Sequence, residues 1–151
     1  MKKSPLSVLS DEYFMKQAYT QAIRAAEEGE VPVGAVVVMG NQIIARTYNQ
    51  VERLKDVTAH AEILALTAAS DAIGNKYLWD CTMYVTLEPC LMCASALKWA
   101  QIGKLVFGAA DDKHGFMLKG REVLHPSTHL AYGVMEEECS HIIKSFFKAL
   151  R

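Results

Sequence analysis

What this chain lacks narrows its class before any motif is read. No apolar run approaches the roughly 20 residues needed to cross a bilayer. The longest, Ala35 to Met39 with its flanks, is the size of one strand, so no membrane association is expected. No internal repeat, low-complexity tract or linker divides the 151 residues, which predicts a single domain over residues 1–151 with enough length to bury a sizeable core. Cysteine is too sparse for a disulfide scaffold, with four in the chain. Met1-Lys2-Lys3-Ser4-Pro5 meets Asp11 and Glu12 before any sustained apolar stretch. A secretory signal would need that stretch, so residues 1–9 read as a loose leader on a cytoplasmic protein. There is also no excess of either charge: 16 basic against 17 acidic residues leave a formal net charge of −1. Broad grip on a nucleic-acid backbone usually shows as a basic excess, so only a small nucleic-acid footprint stays open. The bases that exist are uneven, since Lys144, Lys148 and Arg151 close the chain with no acid after Glu138.

What is present is an ordinary globular composition, 51% apolar and 22% charged, which argues against disorder. Residues 11–28 place Phe14, Met15, Ala18, Ala22, Ile23 and Ala26 on a helical stripe that stops at Gly29. Val33 to Met39 reads as a buried strand, Gly40-Asn41 as a hairpin turn and Gln42 to Tyr48 as the return strand. A second helix is expected from Thr58 as N-cap, through Ile63, Leu64, Leu66 and Ala69, to Gly74. Thr82 to Leu87 and Lys104 to Phe107 read as strands, with a helix from Cys90 to Ala100 between them. Residues 109–130 are expected to be loop with a short helical piece. Val134 to Leu150 closes the chain as a helix with Ile142, Ile143, Phe146 and Phe147 on its apolar side. Strands separated by helices imply an α/β layered domain with helices on both sheet faces, and the opening hairpin makes the sheet mixed.

Two short motifs carry the chemistry: His60-Ala61-Glu62 and Pro89-Cys90-Leu91-Met92-Cys93. Each falls at the expected start of a helix, where unpaired N–H groups favour thiolate over thiol. Cys90 and Cys93, three residues apart, can face one point from a single turn. Two thiolates and an imidazole suit Zn²⁺, and three protein ligands leave a fourth position open to water. Zinc lowers the pKa of such a water from about 15.7 to roughly 7. Glu62, two residues from His60, is the candidate proton carrier. Taken singly, C-x-x-C could be redox or incidental, His60 a satisfied polar residue and Glu62 a solvated first-turn carboxylate. Jointly, H-x-E followed by P-C-x-x-C is the signature of zinc-dependent nucleobase deaminases.

Cys81 and Cys139 read as buried small hydrophobes. Cys81 would lie at the far end of the strand leading to Cys90, roughly 20 Å away at ~3.3 Å per residue, too far to be a fourth ligand. His114, His125 and His129 fall in the weakly patterned segment and read as surface residues.

At these motifs the chain resembles the cytidine deaminase superfamily and, within it, the bacterial tRNA adenosine deaminases. The resemblance runs through Gly29-Glu30-Val31-Pro32-Val33-Gly34-Ala35-Val36-Val37-Val38, Thr58-Ala59-His60-Ala61-Glu62-Ile63 and Tyr84-Val85-Thr86-Leu87-Glu88-Pro89-Cys90-Leu91-Met92-Cys93. It continues through Ile102-Gly103, Val106-Phe107-Gly108-Ala109 and Phe146-Phe147-Lys148. It implies a three-layer α/β/α sandwich around a mixed five-stranded sheet, a homodimer, one Zn²⁺ per chain held by His60, Cys90 and Cys93, and Glu62 as the catalytic residue. The implied reaction converts adenosine to inosine at the wobble position in a tRNA anticodon loop. The implied substrate contacts are Asn49, Ala61, Asp111 and Lys113; Asn49 alone would read as a strand-end turn residue, and Asp111 with Lys113 as a solvated loop. Of the aromatic pair Phe146-Phe147, one is expected in the core and the other at the RNA channel.

The segment from Lys113 to Val134 departs from the family pattern. It reads His114-Gly115-Phe116-Met117-Leu118-Lys119-Gly120 and then His125-Pro126-Ser127-Thr128-His129-Leu130, several residues shorter and without the family's Asn-His-Arg element. The family's Asp-Pro before Thr-Ala-His is Asp56-Val57 here. Two other readings therefore stay open: a deaminase of a free base or nucleoside such as guanine or cytosine, and a non-catalytic zinc-stabilised binding module with a fourth protein ligand.

Overall fold

The first helix, α1 (Asp11–Glu27), begins where Ser10 accepts the Tyr13 N–H on its hydroxyl, and carries Asp11 and Glu12 in its first turn and Arg24 in its last. Those charges complement the helix dipole. This and all that follows describes residues 10–150 of a computed structural model; the expected leader at 1–9 lies outside the described residues. Phe14, Met15, Ala18, Ala22 and Ala25 form the buried stripe of α1. Ile23, expected on that stripe, points outward at 39% exposure.

The strands are β1 (Gly34–Met39), β2 (Gln42–Tyr48), β3 (Cys81–Leu87), β4 (Lys104–Ala109) and β5 (His129–Tyr132). They form one five-stranded sheet in the order β2-β1-β3-β4-β5. β1 runs antiparallel to both β2 and β3, while β3, β4 and β5 are parallel. The sheet is therefore mixed, as the hairpin at its start requires. The remaining helices are α2 (Val51–Leu54), α3 (Ala61–Ile73), α4 (Leu91–Ala100) and α5 (Glu136–Ala149). Strand alternation divides the core. Ala35 and Val37 of β1 and Met83 and Val85 of β3 pack with Ala61, Ala65 and Ala69 of α3 and Ala94 and Leu97 of α4. Val36, Val38, Tyr84 and Val106 face the other way, toward Phe14, Met15 and Ala18 of α1 and Cys139 of α5. That is a three-layer α/β/α sandwich. At Gly34 an added Cβ would collide with the Ala18 carbonyl, so glycine lets α1 lie directly on β1.

Four local expectations change. The N-cap of α3 is His60 rather than Thr58, because the Thr58 hydroxyl and N–H are both spent on the Asp56 carboxylate at 2.7 and 2.8 Å. The four-residue α2 had no periodic signal. Residues 109–130 hold two single-turn 3₁₀ helices, Phe116–Leu118 and Arg121–Val123, and open into β5, which pairs with β4 from Lys104↔His129 to Phe107↔Tyr132. The divergent segment thus supplies the fifth strand. Finally, α5 buries only Cys139, leaving Phe147 43% exposed and Phe146 half-buried in an edge-to-face pair with it. Among the described residues no helix is long and apolar enough to cross a membrane.

Candidate metal and active site

Strand β3, parallel to β4 and antiparallel to β1, runs directly into Glu88-Pro89-Cys90, and Cys90 is the N-cap of α4. Its backbone is extended (φ −71°, ψ 173°) and its side chain caps nothing, so the sulfur is free to face inward. Cys93, one turn on, is fully buried. His60 occupies the same position on α3, extended (φ −73°, ψ 152°) and again without a side-chain cap bond. Nδ1 of His60 lies 3.7 Å from Cys90 Sγ and 3.5 Å from Cys93 Sγ. The three donors all sit within 4.8 Å of one another, close enough to converge on one metal ion. Cys81 and Cys139 are buried elsewhere and free. His114, His125 and His129 are not part of the cluster, among the described residues.

The protonation of this group fits metal binding. The Cys90 thiol is drawn down to about 4, chiefly by the hydrogen bond from the Cys93 thiol and further by His60, against the opposing effect of burial. The Cys93 thiol, which donates that bond, is pushed up by it and by burial. His60 is raised, first by its bond to Cys90 and despite its own burial. Protons shared among two sulfurs and an imidazole mark the place where a cation would substitute for them. Soft sulfur and imidazole donors, three in number, fit a zinc ion with an open fourth position.

Glu62 sits in the first turn of α3, 4% exposed. Burial raises its carboxyl to about 7, with the nearby Cys90 charge adding to the rise and His60 opposing it. A proton carrier is most effective when its pKa lies near the working pH. Asn49, one residue past β2, accepts the Ala61 N–H on Oδ1 at 2.7 Å, which leaves its NH₂ as the free end. Ala61 is fully buried and its C=O accepts from the Thr47 hydroxyl at 2.7 Å. Asn49 and Ala61 therefore form one strap between β2 and the α3 N-terminus.

Asp111 and Lys113 lie on the loop after β4. Oδ1 of Asp111 accepts the N–H groups of Lys113 and His114, both at 3.1 Å, so it shapes the turn. The Lys113 side chain is exposed. Two buried carboxylates that sequence reasoning passed over tie down the segments that follow Asn49 and β4. Glu88, 5% exposed, accepts the N–H groups of Asp111 at 3.0 Å and Met117 at 2.9 Å. Glu30, 2% exposed, accepts those of Glu52 and Arg53 at 3.0 and 2.9 Å and so caps α2. Both stood in the quoted motifs; only a carboxylate at the end of an apolar strand hinted at burial. A groove of about 530 Å³ is lined by Ala109, Ala110, Asp112, Glu136, Glu137, Ser140, His141 and Lys144; it contains none of the residues of the cluster.

Comparison with known proteins groups the chain with deaminases. The family model of MafB19-like deaminases matches residues 9–151. The chain is 45% identical over 148 residues to a tRNA-specific adenosine deaminase of Aquifex aeolicus, covering 95% of this chain and 97% of that one. A solved structure from work on A-to-I editing by tRNA:A34 deaminases superimposes with a TM-score of 0.80 at 40% identity, covering 86% of this chain and 98% of that one. A guanine deaminase structure from Bacillus subtilis gives 0.64 at 38% identity, with 67% and 65% covered.

Proposed function

Since the chain belongs to the tRNA-specific adenosine deaminase family, we propose that this hydrolytic deaminase converts adenosine to inosine at the wobble position of a tRNA anticodon, with one Zn²⁺ held by His60, Cys90 and Cys93. The observation that carries the reading is the buried Glu62 beside a converged imidazole and two sulfurs. When bound, zinc acidifies a water molecule to near neutrality and so supplies the nucleophile.

Glu62 would take one proton from the attacking water and deliver it to N1 of adenine as the water oxygen bonds to C6. It would then carry the second proton to the exocyclic nitrogen, so that the C6–N bond breaks and ammonia leaves. The base must be unstacked to reach the site, and an anticodon loop offers it at low cost. Asn49, whose Oδ1 is taken by Ala61, would address the base through its NH₂ as a donor; Ala61 enters as the residue that holds Asn49. Asp111 would order the loop from which Lys113 reaches the RNA backbone.

The chain reads as a single deaminase domain that acts in the cytoplasm, where reduced cysteines persist. A homodimer is the assembly favoured by Leu91, Met92 and Trp99, apolar residues left 46%, 36% and 78% exposed on α4; light scattering coupled to size exclusion tests it, and a monomer would refute it.

The deciding experiment measures inosine in an anticodon stem-loop carrying adenosine at the wobble position, with ammonia release from free guanine, cytosine and adenosine alongside. Turnover of the stem-loop alone supports the reading. Turnover of a free base alone would favour the second reading, a small-base deaminase like the guanine deaminase that the chain resembles over part of its length.

A further inference from the structure

The 109–117 loop, which holds the Asp111 turn and the start of a 3₁₀ helix, is tied to the ligand turn at both ends. Glu88 donates its N–H to the Ala109 carbonyl at 2.8 Å. Its carboxylate then accepts the N–H of Asp111 at the start of the loop and that of Met117 at its end. Beside it, Gly115 pairs with Cys90 in an isolated antiparallel bridge, and the Phe116 N–H donates to the Pro89 carbonyl at 3.0 Å. Gly115 has no room for a Cβ, which would collide with the Glu88 carboxylate. The Phe116 ring is fully buried, edge-on to Phe107 at 6.2 Å. A side chain two residues before a metal ligand thus holds a loop that begins more than twenty residues later. It does so through two backbone donors, a contact that asks of the loop side chains only that residue 115 have none.

We propose that Glu88 is a positioning residue for substrate: it sets the 111–117 loop against the Pro89-Cys90 turn as one wall of the site, and so governs substrate admission rather than the chemical step. This rests on the tRNA reading for the identity of the substrate. It explains why a segment that departs from the family pattern from Lys113 onward can still form a wall in register with the ligands: the wall is held by main-chain N–H groups. Glutamine at position 88 is isosteric but presents an NH₂ where one of the two donors needs an acceptor.

The test compares wild type with Glu88→Gln and Gly115→Ala in the zinc-loaded protein. Three readings are taken: metal per chain, amide hydrogen exchange, and steady-state kinetics on the stem-loop. We expect metal content unchanged, exchange at residues 111–117 at least tenfold faster with β3 and α3 unaffected, KM raised about tenfold and kcat within threefold. Gly115→Ala should reproduce this, and the double variant should be no worse than either single one. Loss of zinc, or a fall in kcat with KM unchanged, would overturn the proposal in favour of a structural role. Faster exchange without a KM change would show that the loop is not a wall of the site and would equally overturn it. If wild type turns over only a free base, the tRNA reading fails independently; the KM comparison is then made on that base with the same expected rise.

Discussion

Oδ1 of Asn49 accepts the backbone N–H of Ala61 at 2.7 Å, and Ala61 lies between His60 and Glu62. A residue after β2 is therefore bonded to the helix start that carries both a metal-ligand candidate and the candidate proton carrier. The bond also orients the amide, because an N–H donor must meet the oxygen and the NH₂ is left free.

Asn49→Asp keeps an acceptor for Ala61 but removes the NH₂. Metal content should stay close to wild type while KM for the stem-loop rises roughly tenfold, the worth of one hydrogen bond of about 1.4 kcal/mol, and the melting temperature should fall because the new carboxylate is buried. Asn49→Ala should lose the same affinity and, by orphaning a buried N–H, about 1–3 kcal/mol of stability as well. Unchanged KM in both variants would reduce Asn49 to a strap.

Glu62→Ala should retain about one zinc per chain and lose turnover by at least about 10²-fold, the lower range for a general acid–base group. Metal analysis and the inosine assay check this together. Loss of metal in the variant would refute the division of labour between Glu62 and the ligands.

A pH effect follows from the same burial. In the metal-free chain the Glu62 carboxyl is raised from its ordinary 4.5 to about 7 by burial. Below 4.5 it is protonated in both folded and unfolded chains. Between 4.5 and about 7 only the folded chain keeps the proton, so stability falls as pH rises and falls no further above about 7. The full loss is roughly 3 kcal/mol. Glu62→Gln removes it, so urea unfolding of the two metal-free proteins should agree near pH 4 and diverge in favour of the variant by pH 8. Parallel profiles would contradict the burial account.

Cys90→Ser should lose zinc and stability together, because a bound metal contributes folding free energy. A fall in melting temperature of at least about 5 °C is expected, at roughly 2–4 °C per kcal/mol for a chain of this size. An unchanged melting temperature would argue against the ligand set.

Gly34→Ala tests the packing that places β1. Its Cβ would meet the Ala18 carbonyl, backbone that cannot swing aside. A loss of roughly 1–3 kcal/mol is expected from overpacking, seen in thermal melts, with zinc retained because the ligands lie on other elements.

The candidate metal site was legible in the chain because its parts are local. Cys90 and Cys93 share one turn of α4, and His60 and Glu62 share the start of α3. Each motif announces its chemistry by spacing alone. The apolar, β-branched run of β1 and the stripe of α1 were legible for the same reason, since each is written within ten or so consecutive residues. The N-cap of α3 was misplaced because Thr58, a good capping residue by type, had its hydroxyl taken by Asp56. β5 escaped notice because four residues give no usable period, and it exists through pairing with β4 some 25 residues earlier.

By itself, then, the sequence determined which groups could do chemistry here: an imidazole, two sulfurs and a carboxylate, each at a helix start, in an α/β frame. Only the tertiary structure decided that His60 and the two cysteines, 30 and 33 residues away, converge within 4.8 Å. It alone showed that Glu30 and Glu88, to which the sequence reading gave no role, are buried acceptors for backbone donors at least 22 residues distant. The physical reason is the same in each case. Spacing along the chain specifies what one helix turn or strand presents. Which donors meet which acceptors, and whether a carboxylate is desolvated, depends on the order β2-β1-β3-β4-β5 in which the strands pair.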